Sequence, residues 1–202
     1  MATKKEVAKE APKSWTDRLT GWMEGLAPLF DQPHLASVRD GLASLMPFLI
    51  IGAFTLLAVQ FPIQSWLNYL GANEALNAKL WVPFNLTYGL LSPFAVIAIA
   101  YNLARRRGME PLMPAILSLL VFMVFAAPKV ISDADGNSGL LNTYFDSKGL
   151  FTAIIVALLT VEIYRFFVDR KLVISMPPQV PPSIASAFIA LVPGVVLLLL
   201  AW

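Results

Sequence analysis

Five runs of mostly apolar residues, 41–60, 84–103, 112–130, 150–168 and 183–202, leave this 202-residue chain few folds to choose from. About 20 apolar residues at 1.5 Å rise cross a hydrocarbon core of roughly 30 Å, and each run is long enough to do so as a helix. Composition agrees with the pattern. Only 14% of residues are charged and 57% are hydrophobic, against about 25% charged for a soluble domain. The chain is therefore read as an all-α, polytopic membrane protein with five transmembrane helices.

Basic residues near span ends orient such a protein, whereas acidic ones contribute little. With the N-terminus in the cytoplasm, Lys4, Lys5, Lys9, Lys13, Arg18, Arg39, Arg105, Arg106, Arg107, Arg165, Arg170 and Lys171 fall inside. Only Lys79, Lys129 and Lys148 fall outside. Twelve against three places the N-terminus in and the C-terminus at the outer face of the cell (inner) membrane. The first 40 residues contain no continuous apolar core, so no cleavable signal peptide is expected. The net charge of +2 follows from these loops and gives no reason to invoke nucleic acid.

Residues 1–32 form a separate N-terminal region ahead of the membrane domain, 33–202. Its first 13 residues mix Lys, Glu and Ala without an apolar face and are expected to be disordered. Trp15, Leu19, Trp22, Leu26 and Leu29 then recur at helical spacing behind a Ser14 cap, which predicts an N-terminal amphipathic helix. Both packing on the protein and anchorage at the membrane surface suit that helix.

Prolines at 177, 178, 181 and 182 exclude helix over that stretch and predict a stiff connector into the last span. Pro47, Pro93, Pro114 and Pro193 fall inside predicted spans, where each marks a kink. Trp66, Tyr69 and Trp81 suit the headgroup belt better than a sugar-stacking platform. The loop 129–149 is rich in Asp, Asn, Ser and Gly. Its Asp133–Asn137 run lacks the Gly and Glu that a calcium loop needs at positions six and twelve, where Ser138 and Tyr144 stand.

No catalytic signature is present: there is no phosphate-binding Gly-rich loop, no His-Glu-x-x-His pair and no zinc spacing. With no cysteine there is no thiolate metal site, and neither a metal nor a cofactor is expected. His34 stands alone in the sequence and reads as structural or interfacial. Glu162, the one acid well inside a span, is the candidate substrate-binding residue. The competing reading is an ion pair with Arg165 three residues on, snorkelling to the cytoplasmic edge. Arg105, Arg106 and Arg107 read as the topology signal, then as contacts for anionic lipid or a cytoplasmic partner. Ser186, Ala190 and Gly194, spaced by four, form a small-residue stripe for dimer or helix packing.

Several strings together resemble the lactose/cellobiose-type membrane component (IIC) of the bacterial sugar phosphotransferase system. They are Gln32-Pro33-His34 through Leu45-Met46-Pro47, and Leu91-Ser92-Pro93-Phe94 through Tyr101. Further on come Val161-Glu162 followed by basic residues and Met176-Pro177, then Val180-Pro181-Pro182 running into Pro193-Gly194. The resemblance implies the first half of the family's ten-span transporter. It further implies a permease for an oligosaccharide such as a β-glucoside disaccharide, working as a homodimer. A cytoplasmic IIB phosphocarrier would phosphorylate the sugar from a phosphocysteine, which fits a chain without cysteine. The family's sugar-binding carboxylate and histidine lie in the second half, and the first five spans carry most of its dimer interface. The alternative is a truncated, non-transporting scaffold that only dimerises.

Overall fold

Prolines fix where most of the helices begin. The computed structural model describes residues 32–126, 130–132, 138–140, 143–177 and 179–202. Its helices are α1 (Pro33–Ser44), α2 (Met46–Val59), α3 (Gln64–Ala72), α4 (Glu74–Thr87), α5 (Leu91–Arg106), α6 (Leu112–Ala126), α7 (Leu150–Asp169) and α8 (Pro182–Ala201). Pro47, Pro93 and Pro114 lie in the first turns of α2, α5 and α6. An N–H there has no intrahelical partner, so a proline gives up nothing. Those three expected kinks are therefore helix starts, and only Pro193 of the four sits within a helix, joined by Pro83 in α4.

Proline also recurs four residues ahead of a hydroxyl. Ser37 Oγ donates to Pro33 O, Thr87 Oγ1 to Pro83 O at 2.8 Å, and Ser118 Oγ to Pro114 O at 2.8 Å. Each hydroxyl is thereby satisfied within its own helix, as an apolar environment requires.

Four helical stretches are long and apolar enough to span a membrane: 33–59, 74–106, 147–169 and 184–201. The 15-residue α6 is a shorter apolar helix. The first two stretches are broken, at Leu45 and at residues 88–90, inside the predicted spans 41–60 and 84–103. In 129–149, read from sequence as loop, a short antiparallel ladder pairs β1 (Val130–Ser132) with β2 (Ser138–Leu140). The N-terminal amphipathic helix and the Asp133–Asn137 run lie outside the described residues.

The break at Leu45 divides the fold into a body and an arm. In the body α5 is central, with Val96, Ile99, Ala100, Leu103 and Ala104 fully buried against α1, α6 and α7, while α8 packs mainly on α6. Close approach depends on small residues. A Cβ on Gly41 would lie 2.8 Å from Ile99 Cα, so α1 rides directly on the α5 backbone. In the arm α2 pairs with α4, and a Cβ on Gly52 would collide with Thr87 Oγ1. The segment before α7 is clasped to the start of α5: Ser92 N donates to Phe145 O at 2.8 Å, and Phe145 packs on Phe122.

Candidate functional site

Charged side chains distant in sequence meet at one end of the body. Antiparallel packing of α1 on α5 brings the first residues of α1 to the last of α5, and α7 arrives there at its C-terminal half. His34 Nε2 lies 2.8 Å from Glu162 Oε1. On the same oxygen Arg107 donates from Nε at 2.8 Å and from Nη2 at 2.6 Å. Arg165 Nη1 is 3.6 Å from the other oxygen of Glu162 and its Nε is 3.2 Å from Asp169. Beside this group Asp40 accepts from Arg39 and from Arg106.

The chemistry of the group is that of an ion-pair network. A proton on His34 Nε2 makes its contact with Glu162 a hydrogen bond; without one, the nitrogen accepts from Arg107 Nη2 at 3.3 Å. Side-chain exposures of 42% for His34, 32% for Glu162 and 22% for Arg107 leave the network partly open to water. Two donors from one guanidinium fix the carboxylate in place more firmly than a lysine would. Among the described residues no three His, Asp or Glu side chains stand together to hold a metal ion. The network ties three helices into one end of the body and presents cationic edges there.

Glu162 thus sits with Arg165, as its spacing predicts, but Arg107 is its nearer partner and His34 its second. The basic-residue count puts Arg107 and Arg165 at one membrane end and says nothing of His34. The sequence carries no signal that joins the four, because His34 and Glu162 are 128 positions apart.

Ala190 and Gly194 of the α8 stripe are buried, and a Cβ on Gly194 would meet Leu117 Cδ2 of α6 at 3.0 Å. Ser186, one helical turn earlier, is half-buried. The stripe's C-terminal part therefore faces α6 inside the body. Trp66 stacks on Tyr69 with centroids 6.0 Å apart and donates its indole N–H to Ala58 O at 2.9 Å. The open cavity beside it, about 380 Å³, is lined by Ala58, Phe61, Ile63 and Trp66. Such a lining has apolar surface to offer and no free polar side chain with which to read a sugar's hydroxyls.

The family model described as Phosphotransferase system, EIIC matches residues 39–202. The lichenan permease IIC component of Bacillus subtilis is 34% identical over 180 residues, covering 85% of this chain and 40% of that protein. The cellobiose-specific EIIC component of Geobacillus stearothermophilus is 32% identical over 181 residues, with the same coverage. The lactose-specific EIICB component of Staphylococcus aureus is 31% identical over 169 residues, covering 79% of this chain and 28% of that protein. Among solved structures, ChbC, the IIC component of the N,N'-diacetylchitobiose-specific phosphotransferase system, superposes with a TM-score of 0.76 at 33% identity. That match covers 89% of this chain and 44% of ChbC. The chain thus spans about 40% of the length of the curated IIC relatives.

Proposed function

This chain belongs to the EIIC family of the phosphotransferase system, and from that premise we propose that it supplies the five-span N-terminal portion of a permease for a β-glucoside-like disaccharide. A cytoplasmic IIB would phosphorylate the sugar as it enters. The observation that carries this reading is the continuous family match over 39–202, with helices that superpose on a solved IIC component at 33% identity. Relatives named for cellobiose and lactose support the β-linked disaccharide class. The network end, rich in arginine, would face the cytoplasm, where IIB works. A homodimer is part of the proposal. Its interface would lie on the arm, where Phe54, Leu57, Val82 and Leu86 of α2 and α4 are exposed in the single chain, as lipid-facing side chains also are.

The test is sugar-dependent uptake and phosphorylation in membranes holding this chain, a polypeptide supplying the remaining spans, and a matching IIB with its phosphoryl donors. Cellobiose or a related disaccharide should be phosphorylated only when all three are present. Neither uptake nor phosphorylation with any β-linked disaccharide would overturn the proposal.

A second reading, a dimerising scaffold without transport, is favoured by one observation: the only His and the in-span Glu are engaged with each other and with Arg107. Dimer formation without uptake, with the remaining spans supplied, would decide for it.

A further inference from the structure

We infer that the turn leaving α7, from Phe166 to Ile174, is a seat for the phosphate of an anionic phospholipid, held by Arg170 and Lys171. Most cations at this end are already paired: Arg39 and Arg106 with Asp40, Arg107 with Glu162, and Arg165 with Glu162 and Asp169. Arg170 and Lys171 make no ion pair among the described residues, and both are exposed. The Arg170 guanidinium lies 5.3 Å from the ring centroid of Phe166. That contact directs the charge along an apolar surface.

Backbone geometry gives the second observation. Lys171 has φ 56, with Lys171 N donating to Val168 O and Leu172 N to Phe167 O. These two bonds close a helix with a left-handed residue at a place where glycine is the usual and less strained choice. A lysine there trades conformational ease for a charge at the turn. Side chains on either side are apolar and open: Phe166 is 50% exposed, Leu172 51% and Ile174 43%.

A topology signal alone explains cations at this end. It does not explain why Phe166 at the end of the span and Leu172 and Ile174 just beyond it stand open beside two cations that make no ion pair among the described residues. A purely electrostatic contact with a soluble acidic partner would use the charges and leave those side chains in water. The boundary of a bilayer uses both, since the apolar groups enter the acyl region while the cations meet phosphate. Each basic residue near an anionic surface raises local lipid association roughly fivefold.

The inference rests on the membrane location and not on the sugar reading, so it fails or stands independently of uptake. In the naturally cysteine-free chain, Ile174→Cys carries an NBD fluorophore, and the full chain is reconstituted in phosphatidylcholine vesicles. Doxyl-labelled phosphatidylglycerol should quench it at a mole fraction at least several-fold lower than doxyl-labelled phosphatidylcholine. The double variant Arg170→Gln, Lys171→Gln should lose that preference. The charge-preserving pair Arg170→Lys, Lys171→Arg should keep it, which separates charge from a folding defect. No preference at Ile174, or a preference unchanged in the Gln variant, would overturn the inference. So would quenching by aqueous iodide with none by either lipid, which would leave the cations to a soluble acidic partner.

Discussion

Gly41→Ala puts the α1–α5 crossing to a quantitative test. The new methyl would lie 2.8 Å from Ile99 Cα and 2.9 Å from Ile99 N, whereas ordinary contact begins at 3.4 Å. Backbone atoms cannot swing aside, so α1 must withdraw from α5 by about 0.6 Å or tilt by an equivalent amount. A gap of about 0.5–1 Å forfeits a quarter to a half of each dispersion contact along the seam. Lipid tails are as apolar as the helices, so no hydrophobic gain offsets that loss. Overpacking of this kind costs about 1–3 kcal/mol, and Ala returns roughly 0.5–1 kcal/mol over Gly within a helix. A net loss of about 1 kcal/mol, at most about 2.5, is expected, with Gly41→Val worse. Gly71→Ala in α3 is the control, because nothing lies within 4 Å of its would-be Cβ. Steric-trapping or SDS-titration unfolding in mixed micelles should rank Gly41→Val below Gly41→Ala, and both below wild type and Gly71→Ala. If Gly41→Ala matches Gly71→Ala, the close crossing is not where α1 is held and the packing argument fails.

Glu162→Gln removes the charge that Arg107 and His34 share, and should cost about 1–2 kcal/mol in the same unfolding assay. Arg107→Lys should lose part of this too, because one ammonium cannot reproduce the paired Nε and Nη2 donors; full stability in both variants would show that the network holds nothing. Ala190→Leu should disturb the α6–α8 seam far more than Val192→Leu, measured by unfolding midpoint, and equal effects would remove the stripe from the account. Cysteines replacing Ser138 and Arg105 should react with an impermeant maleimide from opposite faces of sealed vesicles, and labelling of both from one face would reject the orientation.

The spans were legible because hydropathy over about 20 residues reports a bulk property, transfer into hydrocarbon, that needs no knowledge of neighbours. Helix breaks within them were not. Leu45 and the Tyr88-Gly89-Leu90 stretch are as apolar as the helices they interrupt, so a window that measures solvation passes over them. Their signs were Pro47 and Pro93 just downstream, and a proline within an apolar run reads equally as a kink or a start until its N–H accounting is known. On α8 the spacing singles out Ser186, Ala190 and Gly194, of which Ala190 and Gly194 are buried. Ser37 and Gly41 on α1 share that spacing and bury against α5, yet they sit among Arg39 and Asp40, where polarity hides a packing face.

That same mixture explains why the charged network lies where it does. α1 must carry polar residues because its first turns lie at the end of the bundle, and it must also approach α5 closely enough for Gly41 to meet the Ile99 backbone. Those two demands bring Asp40 and His34 to the arginines that end α5, with Glu162 of α7 completing the group from the other side. Close packing through a small residue thus sets the distances at which the ion pairs form. A change at Gly41 should accordingly weaken the Asp40–Arg106 and Glu162–Arg107 contacts together, while a change at Glu162 should leave the Gly41 crossing intact. Disulfide crosslinking between cysteines at positions 37 and 103, one turn along each helix from the Gly41–Ile99 crossing, should then survive Glu162→Gln and fall in Gly41→Val; the opposite ranking would mean that charge, not packing, holds α1 in place.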